Sequence, residues 1–351
     1  MSKKLIELEH HLCSGCCMWS GIEDVYATKR NEALPEAFFF SMASCGENIY
    51  LKFSDKNKPR MFSVGDGRTR VTYNHLKDIV GFTYRISEGR SYEYALKCIK
   101  MEIDQRKPVI LGPLDMFYLP YLKMYQKDHI PMHYVLMVGY DDESEKIFLY
   151  DCDRIELQEL SYKELRDAWA IEKNAVGDKN GFIRFSLNED CKSVPEIVEA
   201  SLHRKAAEQL RQKPEMIGVS AFKKIAREFP HWATVLSSEA YKNALKGLPE
   251  FWGTVPKLPN RLMGIDEEEH GVSYHGGCER LGKVLVEVGN KVEREDWCRA
   301  GEIFLKCGFL FEEITERIIT YLCDGTDSLK EIPKIFLKIG ELEEKAYTIV
   351  K

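Results

Sequence analysis

From Met1 to about Asn188, an early helical stretch gives way to short apolar runs rich in β-branched and aromatic residues. The runs 108–111, 133–140, 146–150 and 181–185 are strand-length and bounded by turn residues, so each predicts a β-strand. Upstream, His10 and His11 lead from a polar start into a mainly apolar stretch reaching about Tyr26, which predicts a helix beginning near Cys13 or Ser14. After Ser193 the strand-like runs stop. Apolar residues then recur at helical spacing in 195–212, 220–229, 280–288, 297–319 and 332–349. The join at 188–194 is mostly polar and is followed by Pro195, which a first helical turn tolerates. The pattern therefore predicts an α+β domain over residues 1–190 and an all-α domain over residues 191–351.

Length agrees with two domains, because 351 residues exceed what one core comfortably organises. The composition, 44% hydrophobic and 30% charged, is that of a globular chain, and no apolar run approaches the roughly 20 residues of a membrane span. Glu7 and Glu9 interrupt what would be the apolar core of a signal peptide, so a soluble cytoplasmic protein is expected. Eleven scattered cysteines, an odd number, point to reduced thiols rather than a disulfide framework. A net charge of −6 without a basic run or aromatic-basic stripe excludes a nucleic-acid binder. The acidic run 266–269 reads as a solvated loop. Neither a membrane nor a nucleic acid is expected as partner, and homo-oligomerisation stays open.

Candidate chemistry concentrates at two places. Cys13, at the expected start of a helix, would meet unpaired backbone N–H groups and the positive end of the helix dipole, both of which stabilise a thiolate. Cys16 and Cys17, about one turn further in, read as buried structural thiols. His10, His11, Cys13, Cys16 and Cys17 could supply zinc ligands, but no second CxxC or HxxxH closes a tetrahedral site, so no metal is expected. The second place is the apolar run from His133 to Tyr140, the acidic turn 141–145 and the run from Lys146 to Asp151, which read as a β-hairpin. With its turn centred near Glu143, the hairpin sets His133 opposite residues 151–153, where cross-strand side chains are neighbours. A carboxylate there can hold one imidazole nitrogen and leave the other to take a thiol proton. Asp151 and Asp153 share a face by strand alternation; Asp151 ends the apolar run and is preferred. Cys13, His133 and Asp151 are thus the expected nucleophile, base and orienter. Asp115 and Tyr118, after the strand at 108–111, are candidates for positioning a substrate amine.

Three segments resemble the butirosin-biosynthesis acyltransferase family, a papain-like thiol acyltransferase group. They are His11-Leu12-Cys13-Ser14-Gly15-Cys16, the segment Leu34-Pro35-Glu36-Ala37-Phe38-Phe39-Phe40, and the block 107–121 with His133 to Asp142 and Tyr150-Asp151 after it. Residues 274–280 and 297–316 are similar to the helical domain that follows in such proteins. The resemblance implies a papain-like cysteine-nucleophile domain followed by a helical one. It implies transfer of an acyl group from the phosphopantetheine arm of an acyl-carrier protein, through a cysteine acyl-enzyme, to an amine of a small molecule such as an aminoglycoside. No further cofactor is expected. Two other functions fit the same residues: a cysteine peptidase or amidase with water as acceptor, and a non-catalytic binding protein in which Cys13 is an inert core thiol.

Overall fold

The computed structural model describes residues 3–13, 17–65, 68–252 and 277–351. Ser14, Gly15 and Cys16, the acidic run 266–269 and residues 274–276 lie outside the described residues. The chain divides into two compact units, residues 1–40 with 67–192 and residues 41–66 with 193–351. This differs from two consecutive spans of 1–190 and 191–351: the segment 41–66 leaves the first unit and belongs to the second.

The first unit is built on a seven-stranded sheet whose strand pairs are all antiparallel. Its strands are β1 (Lys4–Leu5), β4 (Phe82–Ser87), β5 (Val109–Asp115), β6 (Pro131–Asp141), β7 (Lys146–Asp151), β8 (Arg154–Ser161) and β9 (Phe182–Leu187). Their order is β4-β9-β5-β6-β7-β8, with β1 paired to β6 as well. The four strands expected from sequence correspond to β5, β6, β7 and β9. The hairpin has the expected turn: Leu136 faces Tyr150 and Met137 faces Leu149, before a one-residue shift brings Gly139 opposite Phe148 and Asp141 opposite Lys146.

Alternation along the central strands creates two apolar faces. Val109, Leu111, Val135, Met137, Ile147 and Leu149 join one buried cluster with Ala95, Ile99 and Ile103 of the helix Tyr92–Asp104 and with Leu165, Ala168 and Trp169 of the helix Tyr162–Trp169. Both helices start with a serine whose side chain accepts from the N3 backbone N–H, Ser91 from Tyr94 and Ser161 from Glu164. Helix α1 (Cys17–Arg30) packs against Ile110 and Leu136. Gly21 permits that approach, since a Cβ there would lie 3.0 Å from Leu136 Cδ1 and 3.1 Å from Ile110 Cγ1.

Among its described residues, the second unit is helical apart from the hairpin of β2 (Asn48–Leu51) and β3 (Met61–Val64). Its helices include Val194–Gln209, Ser220–Glu228, Gly277–Lys291, Glu295–Asp324 and Ile332–Ile349. Buried bonds explain why 41–66 belongs here. Ser201 Oγ donates to Met42 O at 2.7 Å, Lys205 Nζ donates to Cys45 O at 2.7 Å, and Asn48 N donates to Gln209 Oε1 at 3.0 Å. No described helix is long and apolar enough to cross a membrane.

Candidate functional site

Strand β6 carries His133 near its start and β7 ends on Asp151. Their side chains meet: His133 Nε2 and Asp151 Oδ2 are 2.7 Å apart, with His133 7% and Asp151 0% exposed. Asp151 Oδ1 also accepts from the Cys152 backbone N–H at 2.7 Å. Of the two aspartates, Asp151 is the one that meets His133, while the Asp153 carboxylate is held by Arg154 at 2.9 and 3.1 Å. Gly112 lets β5 pass close to this point. It sits at φ 152°, and a Cβ there would meet the Tyr134 ring and lie 2.8 Å from His133 O.

Besides Asp151, the Cys17 sulfur is the group that acts on the His133 imidazole. This replaces the expected pairing with Cys13. As described, α1 runs from Cys17 to Arg30, and residues 14–16 before it lie outside the described residues. Burial works against a charged His133, yet the Asp151 carboxylate and the Cys17 sulfur outweigh it and hold the imidazole well above its ordinary value. Asp151 is correspondingly held below the usual carboxylate range. Burial opposes that shift, and His133, then Tyr121 and Arg154, overcome it.

Cys13 belongs to another group. It is 0% exposed, and its backbone N–H donates to Cys152 O at 2.8 Å. The histidines just before it grip two wholly buried acids of α1. His10 Nδ1 lies 2.6 Å from Asp24 Oδ2, His11 Nδ1 lies 2.6 Å from Asp24 Oδ1, and His11 Nε2 lies 3.1 Å from Glu23 Oε2. Despite burial, these carboxylates push the His11 pKa up to about 10. His10 is raised too: burial opposes its charge, while Asp24 and the carbonyls of Arg154 and Asp151 outweigh that penalty. Because His10 Nε2 donates to Asp151 O at 3.0 Å and Arg154 O at 2.8 Å, this clamp also braces the turn that carries Asp151. Among the described residues, one group of donors is close enough to hold a metal ion: ligand atoms of His11, Cys13 and Glu23 all lie within 4.8 Å of one another.

Glu23 and Asp24 were not singled out from sequence, although a signal existed. Trp19, Ile22, Glu23 and Tyr26 share one helical stripe, and an acid inside an apolar stripe must be paired. Of the other expected site residues, Asp115 has its carboxylate committed locally. Its Oδ1 accepts from Phe117 N at 3.1 Å and Ile130 N at 3.0 Å, and its Oδ2 lies 2.6 Å from His129 Nδ1. Tyr118 packs its ring near those of Phe117 and His129, with centroids 5.0 and 5.9 Å away. Both stand close to the His133 strand, since Leu114 of β5 pairs with His133.

Two comparisons bear on this arrangement. A relative from Bacillus subtilis (strain 168), the uncharacterized protein YobF, is 34% identical over 101 residues, which are 28% of this chain and 32% of that protein. The matched part is thus about a third of the relative's length. Residues 16–152 match the family described as butirosin biosynthesis protein H, N-terminal. The match takes in Cys17, His133 and Asp151 and leaves Cys13 outside. Over residues 16–152 the chain is therefore similar to the family of butirosin biosynthesis protein H N-terminal domains.

Proposed function

We propose that the protein is a cysteine acyltransferase of papain-like design in a biosynthetic pathway, with Cys17 as nucleophile, His133 as proton carrier and Asp151 as orienter. One observation carries the reading: a single buried imidazole is bonded to a carboxylate through Nε2, and it is held well above its ordinary pKa by that carboxylate and by the Cys17 sulfur of α1. The similarity to butirosin biosynthesis protein H supports a biosynthetic role.

The chemistry follows from these groups. His133 takes the Cys17 proton, and the sulfur forms a bond to the carbonyl carbon of a thioester. The tetrahedral adduct collapses by expelling the donor thiol, which receives the proton from His133. An amine then attacks the acyl-enzyme, His133 accepts the amine proton, and the Cys17 sulfur leaves as an amide forms. Asp151 favours the imidazolium that exists between these transfers and fixes the ring by its Nε2 bond. Thiol-to-thiol transfer is nearly isoenergetic, so the site must mainly exclude water until the amine arrives. The donor proposed is an acyl group on the phosphopantetheine of a carrier protein, and the acceptor is a small-molecule amine.

Intact-protein mass spectrometry with an acyl-pantetheine thioester tests this. An acyl adduct is expected on the wild type and on Cys13→Ala, none on Cys17→Ala, and addition of an amine should discharge the adduct as an amide. An adduct on Cys17→Ala would sink the assignment of the nucleophile. Equal discharge in water and in amine would make the protein a hydrolase.

A further inference from the structure

We propose that His11, Cys13 and Glu23 form a zinc site, separate from the Cys17 thiol, that ties the segment before α1 to the helix itself. The donor set is mixed nitrogen, sulfur and oxygen, which suits Zn2+, whereas Mg2+ and Ca2+ take oxygen ligands. Bonds of about 2.0–2.3 Å at tetrahedral angles put donor atoms roughly 3.3–3.8 Å apart. The 3.1 Å between His11 Nε2 and Glu23 Oε2 is already near such an edge, and the whole group, within 4.8 Å, needs to draw in by roughly 1 Å.

Three further features fit a metal. His11 presents Nε2 to the group while Nδ1 meets Asp24 Oδ1 at 2.6 Å, the carboxylate–histidine arrangement that orients a metal-bound imidazole. Glu23 offers Oε2 while its Oε1 is fixed by the Phe39 backbone N–H at 2.5 Å, so the ligand carboxylate is braced as well. Cys13 and Glu23 are fully buried, but the His11 side chain is 28% exposed, which leaves one side for entry and for a water as fourth ligand.

The third ligand comes from α1, outside the segment 10–17, so local spacing does not mark the site.

The test uses the Cys17→Ala protein, so that the other thiol cannot contribute. Purified without chelator, it should carry roughly one zinc per chain by elemental analysis, and Cys13→Ala or His11→Ala added to it should abolish that content. Stripped of metal and titrated with Co2+, it should show a thiolate-to-cobalt absorption band that disappears when Cys13 is replaced. The cobalt measurement needs no further variant, so a folding failure of the Cys13 or His11 substitution leaves the proposal decidable. Absence of the band in folded Cys17→Ala protein, or zinc retained after loss of Cys13, would overturn the site. Neither readout depends on acyl transfer.

Discussion

Among the described residues, Cys17 stands first in α1 (Cys17–Arg30) in one unit and Cys278 second in the helix Gly277–Lys291 in the other. Their surroundings differ. Cys278 is 1% exposed and donates from Sγ to Glu343 Oε1 at 3.3 Å; burial first, then the neighbouring carboxyl, pushes its thiol well above its ordinary value. Cys17 is partly exposed and faces an imidazole whose own partner is a carboxylate. Position in a helix alone does not make a sulfur reactive. What separates the two is whether the neighbour can accept a proton and remain stabilised after accepting it.

The sharpest way to break this contrast is to remove each thiol. Cys17→Ala should lower kcat/KM for acyl transfer on the order of 10^4-fold or more, as loss of a nucleophile does, while Cys278→Ala should leave it nearly unchanged. Steady-state kinetics with an acyl-pantetheine donor would measure this, and comparable losses in both variants would end the distinction. Next in size is Asp151→Asn, expected to cost about 10^3- to 10^4-fold in kcat with a smaller change in KM, because the imidazole loses its stabilising charge and its fixed tautomer. An unchanged kcat would show that the His133–Asp151 contact is only structural. Smaller again is the labelling contrast. Iodoacetamide at neutral pH should alkylate Cys17 faster than Cys278 by roughly 100-fold or more, read by peptide mass mapping of the folded protein.

The same contrast explains what the sequence could reveal. His133 and Asp151 were legible because the hairpin between them has a clear apolar alternation and a polar turn, and short-range register follows from those alone. The strands β4 and β8 were not: β8, at the sheet edge, is mostly half-buried or exposed and mixes Glu156, Gln158 and Glu159 with apolar residues, so no stripe marks it. The hairpin β2–β3 has only four residues per strand, and its membership of the second unit rests on buried bonds to residues about 160 or more positions away. The thiol beside His133 lies four residues from the expected one for a related reason. The polar-to-apolar transition suggests a helix start near Cys13, but the pairing of His10 and His11 with Asp24 and Glu23 draws those residues into a clamp beside the helix. That long-range pairing, invisible in local pattern, decides which thiol meets the imidazole.

The smallest effect concerns the partner of Cys278. Glu343 is wholly buried, and burial pushes its pKa up to about 8, although Asn48 and Cys278 both donate to it. Its folded value therefore lies above the ordinary 4.5 of an exposed glutamate. Below that value both folded and unfolded chains hold the proton, and the carboxyl does not alter stability with pH. As pH rises from about 4.5 to about 8, the unfolded chain releases the proton and the folded one resists, so stability falls through this window and levels off above it. Glu343→Gln keeps a neutral acceptor for Asn48 and cannot ionise. Denaturant unfolding at a series of pH values should give a flatter profile for the variant between pH 5 and 8, with a gain over wild type on the order of 1 kcal/mol or more at the upper end. Parallel profiles would mean that Glu343 ionises inside the folded protein as easily as outside it. The chemical difference between the two thiols would then lie in the imidazole alone.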